Sequence, residues 1–402
     1  MIESLFNSAP PRSILVICTG HIGDVLLSTP VVRSLKVRWP EVPVDVLVFD
    51  GTGGGLENNP DIRRTIFVAS HANVTKHLSN APEFWRRYDL ACALRTSSVA
   101  SFYCWIAGRK RIGVVAPDGK RWIKQRVFNR FVIDRDQTTH AVRTGAALMD
   151  LLGIPFSFEV VPPSMSDQPE QLATLNLRLA PTDGKPFVVV HMCPRYAYKM
   201  WHVSGWIALV RFLHDCGYAI VLTGGPAEAE MAYARDIAER VGRNIINLVG
   251  KISMGETAEV IRRAKLYVGP DTSASHVAAA TGTPTIALFG PSNPVQWGPW
   301  PKGWSGDSPW EPSGSAHKGN VYLIQGVGAC VPCKLHGCER SVHSRSDCLL
   351  SLDAKRVIDA ASELLGVAPT RRRRIPIVQA VDSIITEGLG INSGNLARGH
   401  AR

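Results

Sequence analysis

No run of about 20 apolar residues appears anywhere in the 402-residue sequence, so no membrane-spanning helix is expected. Met1-Ile2-Glu3-Ser4 begins without a basic segment or an apolar core after it, which argues against a secretory signal. The protein is therefore expected to act in the cytoplasm, with its nine cysteines held as thiols or metal ligands and not as disulfides. Acid is in short supply. Asp and Glu number 34 against 45 Lys and Arg, a formal charge of +11 that favours anionic partners. Part of this excess is a tail, Arg371-Arg372-Arg373-Arg374, after the last helical pattern. A GxGxxG dinucleotide fingerprint is also missing after the first strand pattern, where Gly20-His21-Ile22-Gly23-Asp24 stands instead.

At 45% apolar and 20% charged residues the chain reads as globular, and its length calls for two domains. Short β-branched runs alternate with helical periodicity, the pattern of doubly wound α/β domains. Strands are expected near Ser13–Cys18, Val44–Phe49, Thr65–Ala69, Leu90–Leu94 and Arg111–Val115, with helices over Val25–Trp39 and His140–Leu152. A Pro-rich, polar stretch with a short helical piece then reads as a linker, placed at 166–185. The second half repeats the alternation, with strands at Phe187–His191, Tyr218–Thr223, Asn244–Leu248, Leu266–Gly269 and Thr285–Phe289. Its last helix is expected over Asp353–Leu365. This gives domains at 1–165 and 186–366, and a basic, flexible tail at 367–402. Two such halves would enclose a ligand cleft.

Tyr267-Val268-Gly269-Pro270-Asp271-Thr272-Ser273-Ala274-Ser275-His276 carries the most chemistry. A buried strand runs into a carboxylate turn, then into a helix that opens on small residues. Helix starts expose unpaired amides and partial positive charge, and small side chains let an anion approach them. An acid beside an anion site suits a nucleotide sugar. Leu288-Phe289-Gly290-Pro291-Ser292 ends the next strand at the same edge. Asp24 follows the first strand; it can cap a helix or take a proton from an acceptor hydroxyl. Arg195 and Lys199 follow the strand Phe187–His191, where a compact cation can meet a diphosphate. After Gly224-Gly225-Pro226, Glu228 and Glu230 either complement a helix dipole or hold a ribose hydroxyl. Cys330, Cys333, Cys338 and Cys348 form a cluster with a CxxC head, which can build a closed structural zinc site or remain free thiols. No open metal site with a neighbouring base is evident among these residues.

In order along the chain, several segments resemble the ADP-heptose:lipopolysaccharide heptosyltransferase family, glycosyltransferase family 9. They are Gly23-Asp24-Val25-Leu26-Leu27-Ser28-Thr29-Pro30, Leu56-Glu57-Asn58-Asn59-Pro60, Ala107-Gly108-Arg109-Lys110-Arg111-Ile112-Gly113, Lys199-Met200-Trp201, Gly269-Pro270-Asp271-Thr272 through His276, and Leu288–Ser292. The resemblance covers about Ser13 to Leu365. It implies a GT-B fold, two Rossmann-like domains whose parallel sheets face an interdomain cleft. It also implies inverting transfer of heptose from an ADP-sugar to a lipopolysaccharide core, with no cofactor or metal required for the chemistry. Asp24 then corresponds to the base and Lys199 to the cation that steadies the leaving diphosphate. Asp271 corresponds to the acid on the sugar hydroxyls, with Thr272, Ser273, His276, Arg195, Gly224 and Glu230 (or Glu228) completing the donor site. Ser273 replaces the glycine usual in the family, and its side chain narrows the space beside the phosphate.

An anionic glycolipid acceptor would suit the basic residues Arg86, Arg87, Arg109, Lys110, Arg111, Lys120, Arg121, Lys124 and Arg126, in peripheral contact with the inner membrane. No nucleic acid is expected as partner. Two alternatives stay open: a GT-B enzyme using another nucleotide sugar, and a non-catalytic sugar-nucleotide-binding protein whose basic tail contacts nucleic acid.

Overall fold

The computed structural model describes residues 9–70, 74–117, 125–134, 138–165, 169–242 and 245–367. The expected basic tail beyond Val367 and the lysines and arginine at 120, 121 and 124 lie outside them.

Six parallel strands form the first sheet: β1 (Ile14–Cys18), β2 (Val44–Phe49), β3 (Arg64–Val68), β4 (Tyr88–Ala93), β5 (Gly108–Val115) and β6 (Arg130–Ile133). Their spatial order is β3-β2-β1-β4-β5-β6. Ile14–Cys18 is buried along its whole length, as a strand covered by helices on both faces must be. The second sheet comprises β7 (Phe187–His191), β8 (Ala219–Thr223), β9 (Ile245–Asn247), β10 (Leu266–Pro270), β11 (Thr285–Phe289), β12 (Ala316–Lys318) and β13 (Val321–Gln325). Its order is β12-β13-β11-β10-β7-β8-β9, and only β12 runs antiparallel to its neighbour. Leaving out β12, the two sheets have the same winding. Each reverses direction at one point, between β1 and β4 and between β7 and β10. Open α/β sheets bind ligands beyond the strand ends at such reversals.

Two sequence expectations are corrected. The helix expected over Val25–Trp39 is two, Ile22–Leu26 and Thr29–Arg38, because Pro30 can stand in a helix's first turn but not in its middle. β6 and the β12–β13 hairpin were not anticipated; Arg130–Ile133 is half-buried at a sheet edge and lacks a long apolar run. The short helical piece expected in the linker is the 11-residue helix Pro169–Leu179, whose Leu175 and Leu179 are buried with Phe187 and Val189 of the second sheet.

The halves meet on packed surfaces. Leu26 and Leu27 share a buried cluster with Ala274, Val277 and Ala278 of the helix Ser273–Thr281. Each such leucine contributes about 1.5–3 kcal/mol by leaving water. Gly23 makes this approach possible: a Cβ there would sit 3.2 Å from the His276 ring.

Candidate active site

A cleft of about 1040 Å³ opens between the two sheets, lined by residues from both. Its central groups come from the strand ends at the two reversals: Asp24 after β1, Arg95 after β4, Lys199 after β7 and Asp271 after β10.

Asp24 lies in the first turn of the helix Ile22–Leu26. Its Oδ2 accepts the His21 backbone N–H at 2.8 Å, so it does cap the helix. Its Oδ1 lies 3.4 Å from Arg95 Nη1. The capping and cleft-lining roles are thus held by different oxygens of one carboxylate. Gly20 makes room for it, since a Cβ there would lie 2.6 Å from Asp24 Oδ2.

Across the cleft Lys199 Nζ lies 2.6 Å from Asp271 Oδ2, a pair whose side chains are 21% and 7% exposed. Burial pushes the Asp271 carboxyl up, but Lys199 more than offsets this, helped by Ser292 and His276, and holds it below its ordinary value. Burial likewise opposes charge on Lys199, and Asp271 reverses that effect and raises it. Both groups are therefore ionised. Thr272 is the N-cap residue of Ser273–Thr281, with extended backbone and no side-chain cap bond, so the helix start keeps its positive end toward the cleft. Thr272, Ser273 and His276 all line the cleft. Burial lowers the basicity of His276, which favours the neutral imidazole.

Farther along the same wall, Glu230 Oε2 accepts the Gly225 N–H at 2.7 Å. Burial raises its carboxyl and that N–H partly restores it. Glu230 and Gly224 line the cleft, whereas Glu228 is exposed and does not. Arg195 also lines it, with Nη1 3.5 Å from His21 Nδ1 of the opposite half.

Several groups here were missed from sequence. Arg95 bridges the halves, contacting Asp24 and holding its guanidinium carbon 5.4 Å from the Trp297 ring. Its place directly after a central strand was a usable signal. Tyr196 and Tyr198 stack at 5.5 Å, and His336 extends the stack at 5.4 Å. His336 and Lys334 come from the cysteine-rich segment, pinned to the site by the Lys334 N–H donating to Pro291 O at 2.8 Å. No local pattern announces that placement.

All nine cysteines are free thiols. Burial, with its three neighbours adding, pushes the Cys348 thiol up to about 11, and Cys338 Sγ accepts the Asp347 N–H. Among the described residues no three His, Cys, Asp or Glu side chains converge as a metal would need. Of the two readings of Cys330, Cys333, Cys338 and Cys348, a structural zinc site or free thiols, the thiols are what this arrangement displays. The basic acceptor surface also needs amendment. Arg111 is half-buried, Arg86 donates to Gly108 O, and Arg109 faces Asp89 at 3.6 Å.

Comparison with known proteins places this geometry. The profile of glycosyltransferase family 9 (heptosyltransferase) matches residues 84–305. Lipopolysaccharide heptosyltransferase 3 of Escherichia coli is 28% identical over 298 residues, covering 71% of this chain and 86% of its own length. Lipooligosaccharide heptosyltransferase 2 of Haemophilus influenzae is 24% identical, over 70% and 84%. Among solved structures, a glycosyl transferase family 9 protein from Veillonella parvula superposes with a TM-score of 0.68 at 20% identity, over 88% of this chain and 97% of that one. ADP-heptose lps heptosyltransferase II of E. coli gives 0.66 at 20% identity, over 88% and 98%. Both have this two-domain fold.

Proposed function

We propose, from the premise that this chain belongs to glycosyltransferase family 9 and is a glycosyltransferase, that it moves heptose from an ADP-sugar to a lipopolysaccharide-core hydroxyl with inversion. The observation that carries this reading is that Asp24 faces the same cleft as the Lys199–Asp271 pair and the start of the helix Ser273–Thr281.

The steps follow from charge. Asp24 accepts the proton of the acceptor hydroxyl, whose oxygen attacks the anomeric carbon. The bond from that carbon to the diphosphate oxygen breaks, and ADP departs with added negative charge. Lys199 and the amides of the helix start oppose that charge in a site shielded from water. Asp271, held ionised by Lys199, receives the sugar hydroxyls, and Glu230 the ribose. His276, neutral and buried beside them, can donate one hydrogen bond without adding charge. Relatives named as lipopolysaccharide and lipooligosaccharide heptosyltransferases support the donor sugar and acceptor class.

The acceptor is anionic in this reading, and Arg95, Arg195 and Lys334 supply positive charge around the cleft. Such an acceptor places the protein against the cytoplasmic face of the inner membrane. No helix among the described residues is long and apolar enough to cross a bilayer, so contact would be peripheral. Vesicles containing anionic lipid should recruit the protein at low salt and release it at high salt; no recruitment would remove the membrane from this account.

Calorimetric titration with ADP-, UDP- and GDP-sugars, followed by a transfer assay on lipopolysaccharide core, tests the donor and the reaction together. Preference for ADP-heptose with transfer supports the reading. Preference for a UDP- or GDP-sugar contradicts the donor assignment.

A further inference from the structure

The segment Leu56-Glu57-Asn58-Asn59-Pro60 has no part in the chemistry above. Leu56 is buried in the core of the first domain. Glu57, however, leaves that domain. Its Oε2 accepts the Gly255 N–H at 2.7 Å and the Ser253 hydroxyl at 2.8 Å, at the start of the second-domain helix Met254–Arg263. That helix already carries its own capping box: Ser253 Oγ accepts the Glu256 N–H at 3.2 Å, and Glu256 Oε2 accepts the Ser253 N–H at 2.8 Å. The first domain therefore supplies a second carboxylate to a helix that is capped without it. Negative charge is stabilised there by the helix dipole and by charge-assisted hydrogen bonds.

The surrounding backbone is built for this contact. A Cβ on Gly255 would lie 2.9 Å from Glu57 Oε2 and would collide with the Ser164 carbonyl. Asn58, in left-handed backbone at φ 50°, donates its side-chain amide to Ser164 O at 2.9 Å. The Ser164 hydroxyl donates to Asn58 O at 3.0 Å and the Ser164 N–H to Glu57 O at 2.9 Å. Ser164 stands where the chain leaves the first domain for the second. Glu57, Ser253 and Met254 also line the cleft.

We propose that Glu57 is a positioning residue, a latch that holds the two domains at the separation where Asp24 faces the donor site. The proposal rests on the transferase reading for its consequence in catalysis. Its structural content does not: one carboxylate bonded across the boundary adds to the packing of Leu26 and Leu27 in holding one closed arrangement, and without it that arrangement is held less tightly.

The test uses the full chain with Glu57→Ala, Glu57→Gln and Gly255→Ala. Small-angle scattering and amide exchange at residues 253–257 are read without substrate, and kcat/KM is read with ADP-heptose and core acceptor. Glu57→Ala should enlarge the radius of gyration and speed exchange at Gly255. It should lower kcat/KM roughly ten- to a hundredfold, the factor expected for losing a charge-assisted hydrogen-bond pair. Glu57→Gln should fall between, because an amide oxygen still accepts the Gly255 N–H. Gly255→Ala should reproduce Glu57→Ala with residue 57 intact, a result that loss of a cleft-lining carboxylate alone would not give. Wild-type scattering, exchange and kcat/KM in Glu57→Ala and Gly255→Ala would overturn the latch. If Glu57→Ala fails to fold, as a thermal melt would show, Gly255→Ala and Glu57→Gln decide by the same readouts. A wild-type protein that transfers no heptose counts against the proposed function alone, since scattering and exchange still read the latch.

Discussion

Lys199 and Asp271 form an ion pair buried in the cleft, and removing one partner leaves the other charge without compensation. Asp271→Asn should therefore cost about 3 kcal/mol of stability near neutral pH, and Lys199→Met combined with Asp271→Asn should cost less than Asp271→Asn alone. The sign with pH follows from the shifts. Asp271 sits below its ordinary 3.8 in the fold, so its contribution is present above that pH and is lost as acid carries the pH through the folded value. Lys199 sits above 10.5, so its contribution is present below that pH and is lost as alkali carries the pH through its raised value. Chemical denaturation of wild type and of the single and double variants from about pH 2 to 12 checks these statements; a double variant less stable than Asp271→Asn would contradict the coupling, and an unchanged pH profile in the variants would contradict the signs. Asp271 was legible in the sequence because it directly follows a buried strand, and Lys199 because it shares with Arg195 the loop after another. So was Asp24, together with its capping role. Arg95 was equally placed and was overlooked for want of a surrounding motif. Lys334 and His336 had no such signal, because a long irregular segment brings them to the cleft and only tertiary packing fixes its path.

The helix Ser273–Thr281 is the element on which donor recognition turns. Its small, buried residues let it pack on the first domain while its first turn faces the cleft. Ser273→Gly should clear space beside the phosphate and leave transfer from ADP-heptose unchanged or faster, whereas Ser273→Val should weaken ADP binding about tenfold or more by crowding. Calorimetry with ADP checks this, and unchanged affinity in Ser273→Val would remove the helix start from the donor site. The cysteine-rich segment is the other element with a testable role. The groups proposed for the chemistry are carboxylates, a lysine and backbone amides, so chelator-treated protein should retain turnover. Loss of turnover that returns with zinc would assign the four cysteines a metal the reaction depends on. Strand and helix positions in both halves were readable from β-branched runs and helical spacing. The β12–β13 hairpin was not, because its three-residue first strand is too short to show a period.

At the scale of the whole molecule, the closed arrangement depends on contacts that cross the domain boundary. His140 is one of them. It is fully buried; its Nδ1 accepts the Val142 N–H at 3.2 Å, so Nε2 carries the proton and donates to Gly298 O of the second half at 2.8 Å. Burial lowers its pKa to about 3, with the Gly298 carbonyl opposing this shift. The unfolded chain therefore takes up a proton near pH 6.5 that the folded protein refuses. Stability contributed by this site is present above 6.5 and falls as acid is added, by up to about 1.4 kcal/mol for each pH step down to the folded value. His140→Gln keeps a donor for Gly298 and does not titrate, so its melting temperature should fall less steeply between pH 6.5 and 4. An equally steep fall would remove His140 from the account of interdomain stability. Two similar sheets and a cleft between them were foreseeable from the repeated alternation. The closeness of the halves was not, since Gly23 against His276 and Glu57 against Gly255 are meetings of residues that no local pattern pairs.

The account as a whole turns on Asp24 acting across one shared cleft on a donor held by the second domain. Single-turnover transfer by Asp24→Asn, saturated with ADP-heptose, measures this directly. Donor affinity should stay within about twofold of wild type while the transfer rate falls at least about a hundredfold, the range for losing a general base. Transfer at near wild-type rate would contradict it.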